Sequence, residues 1–218
     1  MLNQSLELLN LSQWFFKNNK LFFKNKLKLQ KFLFFYMMFQ KINKRNYSLE
    51  GLKAYDKGPV FSPSYGDISW RYDEFYETMC GSEILTEDKI NITSAKKANF
   101  LINILNSNEV SNLTHQFDAW KSKNDLLKQH IHQIPISESD FTIKDLSLVT
   151  KLYEMYPIEL IDNSEILYLD PTRFVFRNGD ISKLTDDHRA ALENVSSLNE
   201  EPNPLFVDIA EDGVLEID

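Results

Sequence analysis

Apolar side chains at Leu29, Phe32, Leu33, Tyr36 and Phe39 recur at i, i+3, i+4, i+7 and i+10, and this spacing predicts a helix across KLKLQKFLFFYMMFQ, residues 26–40. Phe34, Phe35, Met37 and Met38 make the remaining faces apolar as well, the pattern of a helix at the centre of a core. Lys26, Lys28 and Lys31 fall in its first turns, where the helix dipole disfavours cations. They are therefore expected at the surface, held by solvent or by a partner. Leu6, Leu9, Trp14 and Phe16 predict an earlier helix over 4–17, broken by Asn18-Asn19-Lys20.

Farther along, Lys57-Gly58-Pro59 and Ser62-Pro63-Ser64 carry loop chemistry, with short extended pieces expected around 49–54. Helices are predicted over 67–79, with Trp70, Phe75 and Tyr76 as the apolar side, over 93–106, and over 109–121 behind Asn108 as N-cap. Thr142-Ile143-Lys144-Asp145 resembles a capping box, Leu146, Val149 and Tyr153 share one face, and Pro157 stops that helix. The period then drops to two: residues 166–169 and 173–177 read as two short strands about Asp170-Pro171-Thr172, closed by Asn178-Gly179. Thr185 opens a last helix whose first turn holds Asp186 and Asp187. The expected fold is mainly α: a compact helical domain over 1–157, a β-hairpin and helix appendage over 158–197, and a loosely held acidic tail over 198–218 with one apolar patch, Leu205-Phe206-Val207.

The chain has 218 residues and a net charge of −8, yet residues 1–45 hold nine Lys/Arg against Glu7 alone, and residues 198–218 hold seven Asp/Glu and no Lys/Arg. A basic amino end could meet phosphates, an acidic tail a basic partner surface, or the two could simply be solvated faces. The apolar run 32–39 is eight residues long where a membrane helix needs about 20, so no membrane span is expected. The single cysteine, Cys80, excludes an internal disulfide and points to a reducing, cytoplasmic setting with Cys80 as a buried thiol.

No phosphate-binding glycine loop, dinucleotide fingerprint, nucleophile elbow or zinc-protease motif is present, and no metal or cofactor is implied. His130 and His132 flank Ile131 without a neighbouring thiol or carboxylate ligand, and Glu74 with Glu77 is the spacing of any exposed helix face. His115, five residues before Trp120, reads as a histidine that joins two helices by hydrogen bonding.

Three separated stretches carry a resemblance: residues 27–35, LKLQKFLFF; Leu52-Lys53-Ala54-Tyr55 with Lys57-Gly58-Pro59-Val60 and Tyr65; and Leu113-Thr114-His115 with Trp120. In order and spacing the chain resembles the Panacea-domain family, the SocA-like, phage-associated antitoxins, over about residues 4–130. Tyr55 stands where that family usually has tryptophan, Asp56-Lys57 where an aromatic precedes Gly-Pro, Ser64 where valine often precedes the tyrosine, and Ala119 where proline precedes Trp120. The resemblance implies a mainly helical, non-enzymatic antitoxin that neutralises a cognate protein toxin by direct binding. Its alternatives are an adaptor that delivers a partner to a protease and, from the basic amino end, a nucleic-acid-binding regulator. The residues it singles out for partner binding are Tyr55, Lys57, Gly58, Pro59, Tyr65, His115 and Trp120. To these the tail adds Phe206 and Val207 as an apolar anchor, its carboxylates expected to match a basic cleft on the toxin.

Overall fold

The structure is a computed structural model and describes residues 1–81, 89–198 and 203–218. In these, eleven α-helices are combined with two small sheets. Helix α1 (Leu6–Asn18) is capped by Ser5, and α2 (Lys26–Ile42) by Asn25, whose side chain accepts from Lys28 N. Strands β1 (Leu52–Tyr55) and β2 (Gly58–Phe61) form a tight hairpin that leads directly into α3 (Ser62–Trp70) and α4 (Tyr72–Cys80). Then come α5 (Ile92–Ile104), α6 (Ser107–Thr114), α7 (Asp118–Lys121), α8 (Asn124–Lys128), β3 (Ile134–Pro135) and α9 (Ile143–Met155). The chain ends in α10 (Ile158–Asp162), β4 (Ser164–Leu169), β5 (Thr172–Arg177), α11 (Asp186–Leu198), β6 (Leu205–Ile209) and β7 (Leu215–Ile217).

As its sequence requires, α2 is the axis of the core: Leu29, Phe32, Leu33, Phe35, Met38 and Phe39 have no solvent exposure at all. Helices α1, α5 and α9 and strand β2 cover it. Burying each of these large side chains is worth roughly 1.5–3 kcal/mol, which is why the element with the densest apolar run takes the middle. No helix among the described residues is long and apolar enough to cross a membrane.

Several expectations need correction. Lys28 and Lys31 are buried, because each ammonium reaches a backbone carbonyl instead of solvent. The segment 67–79 is two helices broken at Arg71, and the break turns Trp70 outward to 88% exposure while Phe75 stays buried. The segment 109–121 is also two helices. The first is capped by Asn106 in a capping box with Glu109, not by Asn108. The second starts where the Asp145 carboxylate accepts from Asp118 N (2.6 Å) and Ala119 N (3.2 Å). Thr142 and Asp145 do form the predicted capping box. Cys80 is exposed, at the end of α4.

The carboxyl-terminal region is more than a hairpin. Strands β4 and β5 pair antiparallel, β6 adds to β5 in parallel, and β7 closes the order β4-β5-β6-β7. Alternation assigns the faces: Phe174, Phe176, Leu205 and Val207 join Leu184 and Leu192 of the loop and α11 in a small second core, whereas Val175 and Phe206 face the main one. Residues 203–218 are therefore a built part of the sheet, not a loose tail; residues 199–202 of that predicted tail lie outside the described residues. A smaller sheet, β2-β1-β3, packs on α2 through β2.

Candidate functional site

The three stretches that carry the family resemblance converge on the β1–β2 hairpin. Polar residues set inside the apolar helix α2 do the joining. Gln30 accepts from Phe61 N (2.9 Å) and donates to Ser64 Oγ (3.1 Å), which fixes the end of β2 to the start of α3. Lys31 Nζ donates to the Pro59 carbonyl (3.2 Å), and Lys28 Nζ donates to the carbonyls of Ile102 and Leu105 at the end of α5, beneath the Phe22 ring. Burial pushes the Lys31 amine well below its usual pKa and is the main reason that Lys28 falls to about 7, with Arg173 adding to it and Glu109 and Asp170 opposing.

Gly58 is where the backbone comes closest. Its φ is +99°, a conformation that side-chain-bearing residues rarely adopt, and a Cβ placed on it would collide with Lys31 Nζ and Thr114 Oγ1. Ser111 Oγ of α6, just before the third stretch, donates to the Lys57 carbonyl (3.2 Å), and Trp120 Nε1 of that stretch to the Tyr55 carbonyl (2.9 Å). The His115 ring stacks on Trp120 with centroids 3.8 Å apart and planes 14° from parallel. Burial, reinforced by the nearby Lys31, holds the imidazole below its usual pKa, and its Nε2 is buried without a partner among the described residues. His115 thus stacks on its neighbour Trp120, and its hydrogen bond, to the Asp56 backbone, opposes the fall in pKa and ties it to the hairpin turn instead of to a second helix.

Seven of the nine predicted partner-binding residues, Tyr55, Lys57, Gly58, Pro59, Tyr65, His115 and Trp120, are thus gathered at one place. Gly58, Pro59 and Trp120 are buried there and build the site, while Lys57 is exposed at the hairpin tip beside Asp56. Gly58-Pro59 is consequently not a surface turn: it opens β2, and Asp56-Lys57 makes the turn. Tyr55 and Tyr65 are half-buried, with rings 5.7 Å apart, and Tyr55 Oη pairs with Ser62 Oγ at 3.1 Å. Phe206 and Val207 belong elsewhere. Val207 is 2% exposed in the second core, and Phe206 rests near Tyr156 (6.4 Å), so the anchor foreseen for a partner is spent within the chain.

Sequence reasoning missed the outer residues of the site. Trp70 protrudes from the end of α3 beside Arg71, which pairs with Asp67 at 3.1 Å, and Lys26 lies 6.0 Å over the Tyr65 ring while donating to Ser69 Oγ (3.3 Å). No advance signal marked Trp70, because the sequence does not announce the helix break at Arg71 that turns it outward. Among the described residues no group of three His, Cys, Asp or Glu side chains is arranged to hold a metal ion. Comparison of the chain with protein-family models, with curated proteins and with solved structures gave no match.

Proposed function

We propose that this chain is a non-enzymatic binding module, an antitoxin of the Panacea type that neutralises a cognate protein toxin by direct contact. The observation that carries this reading is the knot around Gly58, where three sequence stretches up to about 90 residues apart bind one another through backbone carbonyls and leave a rigid, aromatic and basic surface above them. A surface whose underlying side chains are fixed loses little entropy on binding, and tryptophan, tyrosine and arginine are the residue types that dominate protein interfaces. Trp70, Arg71, Tyr65, Lys26 and Lys57 supply that chemistry here. The exposed carboxylates of the β6–β7 turn and the last strand, Glu211, Asp212, Glu216 and Asp218, face solvent and can meet a basic toxin surface, while Asp208 is paired with Arg177 (3.0 Å) and Val207 is no anchor.

The test is co-expression with the product of the neighbouring reading frame. Growth arrest by that product alone, relief by this chain, and recovery of the two as one complex is the expected outcome. A complex that Trp70→Ala combined with Lys57→Glu weakens at least tenfold, in a protein that stays folded, places the interface on this face; equal affinity in the double variant refutes that placement. A second reading rests on one further observation. Lys17, Lys20, Lys24 and Lys26 line the corner between α1 and α2, all exposed, around a 64% exposed Leu21. If this corner serves a nucleic acid, affinity falls steeply with salt, by about one log-log unit per phosphate neutralised, whereas an interface centred on Trp70 changes little.

A further inference from the structure

Between the helical domain and the carboxyl-terminal sheet lies an open cavity of about 340 Å³ to which α1, α5, α10 and β4 all contribute, and no part of the toxin-binding reading uses it. Its volume is within the range of small-molecule sites. One wall is the face of α5 that carries Lys96, Asn99 and Asn103 at i, i+3 and i+7; the aromatic surface comes from Trp14 and Tyr168.

The hydrogen-bonding sense of this wall is fixed by a chain of inference from one backbone group. Phe22 N can only donate, and it donates to Asn19 Oδ1 at 3.1 Å. The other end of the buried Asn19 amide is therefore its NH2 group, which donates to Asn99 Oδ1 and Asn103 Oδ1, both at 2.7 Å. Both of those carbonyl oxygens are thereby turned to Asn19, and both Nδ2 groups are left as donors that meet no other group among the described residues. Asn18 has the opposite sense: its Nδ2 donates to the Trp14 carbonyl (2.8 Å), which leaves its Oδ1 as a free acceptor at the cavity. Lys96 is paired with Asp162 at 2.7 Å, so formal charge cancels at the exposed side, and selection falls to the amides.

We propose that this cavity binds an uncharged planar heterocycle with two carbonyl acceptors flanking a ring N–H, the pyrimidinedione class to which uracil belongs. Its two oxygens accept from Asn99 and Asn103 Nδ2, its ring N–H donates to Asn18 Oδ1, and its faces lie along Trp14 and Tyr168. Cytosine, which replaces one carbonyl by an amine and the ring N–H by an acceptor, mismatches this edge and leaves an amide unpaired.

The full-length protein is titrated with uracil, uridine and cytosine by calorimetry and by side-chain amide NMR. Saturable binding of uracil or uridine, at least tenfold tighter than cytosine, is expected. Uridine binding as well as uracil identifies a nucleoside as an acceptable ligand, and uracil alone identifies the free base. Asn103→Asp alone keeps the acceptor for Asn19 while converting one cavity-facing donor to an acceptor, without setting two carboxylates at i, i+4, and it should lose uracil at least tenfold in a protein that stays folded. The comparison of uracil with cytosine in the unaltered protein needs no variant, so it decides the matter even if the variant fails to fold. Absence of saturation by uracil and uridine at millimolar concentration, equal binding of cytosine, or binding of benzoate in their place overturns the proposal.

Discussion

Replacing Gly58 by alanine measures the knot on which the proposed function rests. The cost has two parts. A side-chain-bearing residue held at a φ of +99° carries backbone strain of about 1–3 kcal/mol. The added Cβ also meets Lys31 Nζ and Thr114 Oγ1 in a region where both side chains are fully buried, so neither can swing into solvent, and overpacking of this kind costs about 1–3 kcal/mol. The expected total is about 2–6 kcal/mol, read as a lower midpoint in urea at unchanged slope, with a fall in melting temperature of roughly 5–20 °C. Lys31→Met separates the parts, because methionine ends one atom short of the position of Nζ. Gly58→Ala should cost about 1 kcal/mol less in that background, and the remainder is backbone strain together with the Thr114 contact. A Gly58→Ala protein within about 0.5 kcal/mol of the parent would falsify the close approach and the argument built on it.

Three further outcomes are expected. Asp67, fully buried, accepts from Asn3 N (2.8 Å) and Gln4 N (2.9 Å) and pairs with Arg71, so Asp67→Ala should destabilise by about 2–4 kcal/mol and raise amide exchange at residues 3–8; unchanged exchange there counts against the anchor. Lys28, at about 7 in the folded chain against 10.5 unperturbed, keeps its proton in the unfolded state over that interval and releases it in the folded one. Stability from this group is therefore flat below pH 7 and rises between pH 7 and 10.5, and Lys31 acts in the same direction; the urea midpoint should be higher at pH 9 than at pH 7, by an amount that shrinks in Lys28→Met. Trp70→Ala should leave stability within about 0.5 kcal/mol, since the side chain is 88% exposed, while weakening the toxin complex at least tenfold.

The central helix, the Thr142 capping box, the 164–177 hairpin and the last helix were all legible, because each is encoded within one stretch by period, cap or turn chemistry. What escaped was non-local. Lys28 and Lys31 look like surface lysines until the carbonyls of Ile102, Leu105 and Pro59 are in place, and those lie 28 to 77 residues away. The strand at 205–209 looks like a tail because its partner, β5, is joined to it by a long parallel crossover through α11. Of the site, the hairpin loop and the His115–Trp120 pair could be named in advance, whereas the exposure of Trp70 depends on the orientation of two short helices about Arg71, which no periodicity sets.

The position of α2 also has a temporal side. The helix is complete at residue 42, yet α5 and α9, which cover it, end at residues 104 and 155. At ribosomal speeds of about 5–20 residues per second, the most apolar segment of the chain waits on the order of ten seconds for its last cover. During that interval it offers phenylalanine, leucine and methionine to chaperones and proteases, and a chain cut short before α9 can never withdraw the offer. The amount of finished protein in a cell is thereby tied to uninterrupted synthesis, a dependence set by where one helix falls in the order of the chain.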